Sequence, residues 1–119
     1  METIIYHNPR CSKSRETLAL LVARRIPHRI VDYLKNPPDR ATLRSLLKAL
    51  GVSARDIVRR KEALYTELNL GGATDDALLS AICTHPGLLE RPIVVHGARA
   101  AIGRPPENIL ALFAESLAP

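Results

Sequence analysis

Cys11 is the residue of this chain that is best placed to do chemistry. It lies in YHNPRCSKSR, residues 6–15, where an apolar segment gives way to a helix-like one. A free thiol has a pKa near 8.5, so only about 3% of it is the nucleophilic thiolate at pH 7. The unpaired N–H groups and dipole at a helix N-terminus stabilise an anion and lower that pKa. Cations and hydroxyls are also near in sequence: Arg10, Lys13, Arg15, Ser12 and Ser14. The pattern predicts an activated nucleophile.

The thiol has no partner cysteine close by in sequence. Ser14 occupies the position at which a dithiol redox motif would have its second cysteine. The other cysteine, Cys83, falls in the amphipathic string ALLSAICTH at 77–85, a pattern typical of a small core residue. A cysteine phosphatase is excluded, because Thr17 stands where its phosphate-binding loop would end in arginine.

Polar residues beside the cysteine have candidate supporting roles. His7 could tune the thiolate or orient the loop, and a purely structural histidine at a strand end is as good a reading. Asn8 can fix the loop through its side-chain amide. The other histidines form no metal-ligand spacing with either cysteine, so we expect no metal.

Composition favours one domain and disfavours several function classes. The chain has 119 residues, is 46% apolar and carries a net charge of +5. Aromatic residues make up only 3% of it, so base-stacking platforms are scarce and we expect no nucleic-acid partner. No apolar run is long enough to span a bilayer and no signal peptide is recognisable, so we expect no membrane association and a cytoplasmic location.

Hydrophobic patterns predict an α/β fold. Strands are expected at 3–7, 28–33, 91–96 and 100–102, with helices at 12–25 and from Pro105 to Leu117. The segment 39–89 is expected to be entirely helical, with one helix over 61–70. The order is βαβ, a helical block, then ββα. It predicts a four-stranded sandwich built from halves at about 1–35 and 90–119, with a helical insertion at about 36–89.

Long strings of the sequence resemble the ArsC family of glutaredoxin-coupled arsenate reductases. They include YHNPRCSKSRETL, DIVRRKEALYTELNL, HPGLLERPIVV and IGRPPENIL, and they follow the family's order and spacing from Thr3 to about Leu112. The resemblance implies a thioredoxin-like fold with an inserted helical subdomain. It also implies a cis bond between Arg91 and Pro92 beside the active site.

The resemblance also assigns roles to residues. Cys11 is implied as the nucleophile, with His7, Asn8 and Ser14 around it. Three arginines are implied to converge above it as oxyanion ligands: Arg59, Arg91 and Arg104. Arg60 is the rival to Arg59. Arginine suits this role because its planar fork binds tetrahedral oxyanions bidentately and offsets their charge.

The implied reaction is the reduction of arsenate to arsenite, with glutathione as co-substrate, glutaredoxin as partner and no bound cofactor. Arg10 and Lys13 flank Cys11, where the best-known arsenate reductases have small residues, so two alternatives stay open. One is a monothiol reductase acting on another oxyanion or on glutathione mixed disulfides. The other is an Spx-like regulator that binds RNA polymerase, which Ser14 disfavours because such proteins pair two cysteines.

Overall fold

The chain divides into two compact units. The computed structural model describes residues 1–114. One unit comprises Met1–Tyr33 and Arg91–Pro119, and the other comprises Leu34–Glu90. The assignment of both units to a single domain stays a prediction.

The first unit is built on a four-stranded mixed sheet. Its strands are β1 (Thr3–His7), β2 (Arg29–Asp32), β3 (Ile93–His96) and β4 (Arg99–Ile102). The strand order is β2-β1-β3-β4. β1 pairs in parallel with β2, whereas β3 is antiparallel to both β1 and β4. The predicted α/β class and four-stranded mixed sheet are therefore confirmed.

Two helical segments pack against the sheet of this unit. The α-helix α1 (Ser12–Ala23) connects β1 to β2, because parallel neighbours require a crossover. A 3₁₀ helix spans Pro106–Phe113. One buried cluster joins these elements: Ile5, Leu21, Val94, Ile109, Leu112 and Phe113. This packing fixes α1 on the sheet, and with it the N-terminus of α1 just beyond the end of β1.

The second unit is mostly helical. Its α-helices are α2 (Arg40–Leu50), α3 (Ala63–Glu67) and α4 (Asp75–Thr84), and its 3₁₀ helices are Ala54–Ile57, Leu70–Gly72 and Pro86–Leu88. Local sequence sets their ends. The Asp39 carboxylate accepts the Thr42 N–H at 2.7 Å to cap α2. Gly51 ends that helix in the left-handed region at φ +71°.

The structure corrects the predicted helices of the second unit. The helix expected over 61–70 is only α3, because Asn69 adopts φ +54° and stops it. The segment 39–89 is not wholly helical either. Val58 is extended and forms an isolated antiparallel bridge with Leu89. A bridge of one residue pair is too short to show the alternation of a strand, so this bridge had no sequence signal.

Two further differences concern the first unit. The last helix was predicted from an apolar stripe, and residues 106–113 are a 3₁₀ helix instead. Its buried residues Pro106, Ile109 and Leu112 recur every three residues, which suits the 3.0 residues per turn of a 3₁₀ helix. The predicted position Leu117 lies outside the described residues. The helix predicted at 12–25 is α1 (Ser12–Ala23), and its apolar residue Val22 is 61% exposed, not packed on the sheet.

Candidate active site

Cys11 is the N-cap residue of α1. Its backbone is extended, at φ −94° and ψ 124°, and its relative exposure is 9%. The preceding loop is a tight turn, in which the Cys11 N–H donates to the Asn8 carbonyl at 3.0 Å. The Asn8 side-chain oxygen accepts the Arg10 N–H at 3.0 Å, so this amide does hold the loop. The sulfur therefore has a fixed position at the helix N-terminus.

His7 and Ser14 form a buried pair behind the cysteine loop. The His7 Nδ1 lies 2.6 Å from the Ser14 Oγ, which also accepts the Asn8 N–H at 3.0 Å. Burial lowers the pKa of His7, and Arg15 lowers it further while Asp32 opposes both. A neutral His7 can accept a hydrogen bond from the Ser14 hydroxyl at Nδ1 while its own proton is on Nε2. The pair ties the end of β1 to the first turn of α1.

The surroundings of Cys11 favour the thiolate. Burial alone would raise the pKa of the Cys11 thiol, and it is the largest single influence. It is outweighed by hydrogen bonds from the Ser14 N–H, the Arg91 side chain and the Lys13 N–H, together with the positive charge of Arg91. The pKa is therefore below the ordinary value for a cysteine. Arg104 adds a further donor, because its Nη2 lies 3.7 Å from the Cys11 Sγ.

The cations adjacent in sequence act differently from the sequence-based expectation. Lys13 reaches the sulfur through its backbone N–H, while its Nζ lies 3.5 Å from the Glu16 carboxylate. The Arg15 guanidinium donates to the Pro9 carbonyl at 2.9 Å. The guanidinium groups at the sulfur come instead from Arg91 and Arg104, far along the chain.

Arg91 and Arg104 are held together by the backbone. The Arg104 Nε donates to the Arg91 carbonyl at 2.7 Å. The Gly103 N–H donates to the Pro92 carbonyl at 2.9 Å. The peptide bonds Arg91–Pro92 and Arg104–Pro105 are both cis, and the family resemblance implied the first of these. The predicted residues Cys11, Arg91 and Arg104 thus lie in contact within the first unit, while their roles stay predictions.

Gly103 was missed by the sequence analysis. A Cβ on this residue would overlap the Thr17 hydroxyl of α1 and lie 2.8 Å from the Pro92 Cγ. Such distances essentially never occur for real Cβ atoms, so any larger residue must displace its neighbours. Gly103 therefore lets the segment carrying Arg104 approach the first turns of α1. The sequence feature that could have indicated this role is the position of Gly103 directly before Arg104.

Gly103→Ala should destabilise the protein by about 1–3 kcal/mol through overpacking. It should also move Arg104 away from the sulfur and slow alkylation of Cys11. The matched control is Gly87→Ala, because a Cβ there meets nothing within 4 Å. Chemical denaturation and the rate of reaction with iodoacetamide measure the two effects. Equal behaviour of the two variants would show that the close approach at Gly103 is unimportant.

The Cys11 thiol should titrate well below a free thiol in the Cys83→Ser background. Thiolate absorbance near 240 nm should therefore appear at lower pH than in a free cysteine, whose pKa is near 8.5. Arg91→Ala should shift the midpoint upward, because it removes a hydrogen bond and a positive charge that favour the thiolate. A midpoint at or above the free-thiol value would contradict the activation of Cys11.

Arg59 lies in the second unit, directly after the extended residue Val58. Its N–H donates to the Leu88 carbonyl at 2.7 Å, and its side chain is 20% exposed. Its guanidinium forms ion pairs with Glu62 and Glu90. Arg60, the rival candidate, is exposed. The oxyanion role of Arg59 stays a prediction.

Among residues 1–114, no three or more His, Cys, Asp or Glu side chains are grouped so that they could hold a metal ion. None of the helices within the same range is both long enough and apolar enough to cross a membrane.

A mixed sheet with a cysteine of lowered pKa at the start of its first helix is typical of a thioredoxin-like, thiol-based protein. Residues 6–112 match the model of the ArsC family, and the chain belongs to that family. It is 52% identical to an arsenate reductase of Neisseria meningitidis, over 94% of this chain and 98% of that protein. It is 56% identical to the Escherichia coli protein YfgD, over 89% and 92% of the two chains.

A solved structure agrees with this assignment. The arsenate reductase from Vibrio cholerae superposes with a TM-score of 0.91 at 49% identity. The match covers 94% of this chain and 98% of that one. The predicted thioredoxin-like fold of the ArsC type is therefore confirmed.

Proposed function

We propose that this protein is an oxidoreductase that reduces arsenate to arsenite through Cys11. The observation that carries the proposal is the pairing of a low-pKa thiol with the Arg104 Nη2, 3.7 Å from its sulfur. A nucleophile and an anion-binding fork stand side by side. Relatives named arsenate reductase support this choice of oxyanion.

The arginines offset the electrostatic repulsion between the thiolate and its substrate. Arsenate carries a charge near −2 at neutral pH, and a thiolate approaching it is repelled. Guanidinium groups bind oxyanions bidentately and offset this repulsion where charge develops. Arg91 and Arg104 supply that charge beside Cys11, and we propose Arg59 as a third ligand because it matches the family motif. The arginines are what distinguishes a thiolate that selects an oxyanion from one that is merely reactive.

The proposed reaction balances with one external thiol. The Cys11 thiolate attacks arsenic, an arsenate hydroxyl takes up a proton from solvent and leaves as water, and a Cys–S–As(V) adduct forms. The thiol of glutathione then attacks the Cys11 sulfur. The S–As bond breaks, its electron pair stays on arsenic, and arsenite leaves with the proton of the glutathione thiol. Arsenic gains two electrons as two thiols become one disulfide, Cys11–S–S–glutathione.

A second protein completes the cycle. We propose that glutaredoxin attacks the glutathione sulfur of this mixed disulfide and returns the Cys11 thiolate. Ser14 stands at the position that a second cysteine would occupy, and its hydroxyl is hydrogen-bonded to His7 and Asn8. This position therefore offers no group that could resolve the mixed disulfide. No bound cofactor is required. Reduction by glutathione needs a reducing compartment, and the cytoplasm is the proposed location.

Reconstitution tests this proposal. Purified protein is incubated with arsenate, glutathione and glutaredoxin, and arsenite is measured while each component is omitted in turn. We expect arsenite only when all are present. Arsenite formation without glutaredoxin would support the reductase function but refute the role of glutaredoxin as its partner. Failure with arsenate, together with turnover of a glutathione mixed-disulfide substrate, would favour the monothiol reductase instead.

A further inference from the structure

Arg59 is held between two carboxylates of its own unit. Its Nη1 contacts the Glu62 Oε1, three residues along the chain, and its Nε lies 3.9 Å from the Glu90 Oε1. One positive charge thus faces two negative ones. Arg59, which the family resemblance implies as an oxyanion ligand, is therefore already paired with anionic side chains.

The two carboxylates differ in how far they are exposed to solvent. The Glu90 N–H donates to the Ile57 carbonyl at 2.7 Å, next to the bridge between Val58 and Leu89, and its side chain is 25% exposed. Glu62 precedes the short helix α3, and its side chain is 39% exposed. Both residues are tied to the Arg59 segment by backbone hydrogen bonds, since the Glu62 N–H donates to the Arg59 carbonyl at 3.2 Å, and they differ in the exposure of their side chains. Glu62 can rotate into water at a smaller cost, because more of its side chain is already solvated.

We propose that Glu62 is a resident counter-ion of Arg59 that an incoming oxyanion displaces, so that Glu62 weakens anion binding. Glu90 stays in place and keeps the guanidinium oriented when Glu62 leaves. This inference rests on the proposed role of Arg59 as an oxyanion ligand. Its physical basis is competition, because the donors of one guanidinium cannot serve a dianion and an adjacent carboxylate equally well.

Glu62→Gln should tighten the binding of arsenate. Glutamine has nearly the same shape and can still accept a hydrogen bond from Arg59, but it neither holds the guanidinium as strongly nor repels a dianion. From the usual strength of partly exposed ion pairs, KM for arsenate should fall about two- to fivefold. The change affects ground state and transition state alike, so kcat should not change.

Glu67→Gln is the matched control. Glu67 is exposed on the same helix, and the substitution changes the net charge by the same amount. It should leave KM within error of the wild type. A fall in KM for both variants would reveal a general charge effect and overturn the proposal. A rise in KM for Glu62→Gln would also overturn it, because Glu62 would then be a positioning residue that aids binding.

Arg59→Ala separates this inference from the function on which it rests. Equilibrium binding of arsenate is measured by calorimetry in the Cys11→Ser background, where no turnover is needed. We expect Arg59→Ala to weaken binding and to abolish the effect of Glu62→Gln. An effect of Glu62→Gln that persists without Arg59 would refute the counter-ion role while leaving the oxyanion site intact. If Arg59→Ala binds arsenate normally, the assignment of Arg59 as a ligand fails and the counter-ion role fails with it, while Cys11 chemistry is untouched.

Discussion

Replacing Cys11 by serine should reduce arsenite formation to the background rate, whereas Cys83→Ser should leave most of the activity. A serine hydroxyl is not ionised near neutral pH and cannot form the disulfide that carries the two electrons. Cys83 is a partly buried residue of α4, in the other unit. Initial rates of arsenite release, measured with glutathione and glutaredoxin in excess, test both variants.

Arsenate binding by the Cys11→Ser variant is the internal control for its fold. Serine is close to cysteine in size, so the anion site should survive the change. Equal loss of activity in both cysteine variants would instead point to an internal dithiol pair. That result would remove the external-thiol scheme and the need for glutathione.

Arg104→Ala should lower kcat/KM for arsenate by about 30- to 1,000-fold. Removing one charged, bidentate donor from an oxyanion site typically costs about 2–4 kcal/mol. Arg91→Ala should cause a loss of similar size and also raise the pKa of the thiol. Arg104→Lys should restore little, because an ammonium group cannot reproduce the planar fork. Steady-state kinetics over a range of arsenate concentrations give the required values.

Arg40→Ala is the control for loss of a surface charge. Arg40 begins α2, and its guanidinium lies 3.4 Å from the Asp76 carboxylate with 45% of its side chain exposed. Exposed ion pairs of this kind contribute little, so activity should barely change. Normal arsenate reduction by the Arg91 and Arg104 alanine variants would refute the oxyanion pocket and favour the mixed-disulfide reductase.

Features set by neighbouring residues were predictable from the sequence. Asp39 and Thr74 cap the starts of α2 and α4 and Gly51 ends α2, and such caps are formed within one turn of chain. The placement of Cys11 at a helix start was right for the same reason. The extent of α3 was wrong, since the left-handed conformation of Asn69 depends on its surroundings and asparagine tolerates either conformation.

The electrostatics of the candidate site could not be worked out from local sequence. Arg10, Lys13 and Arg15 are adjacent to Cys11 in the chain, yet it is Arg104, 93 residues away, whose guanidinium donates to the sulfur at 3.7 Å. Only the whole-chain resemblance drew attention to it. Gly103 escaped notice because the close approach of two distant segments is set by tertiary structure. Glu62 stands only three residues after Arg59, so the sequence did hold a local signal for this ion pair.

The 93-residue separation between Cys11 and Arg104 also orders events during synthesis. At about 5–20 residues per second, the ribosome adds Arg104 roughly 5–20 s after Cys11. Until then the nascent thiol lacks both guanidinium groups, and it is correspondingly closer to an ordinary cysteine that oxidants and electrophiles attack slowly. We therefore expect full reactivity to arise only when the last strands have joined the sheet, which protects the unfinished polypeptide from modification at this residue.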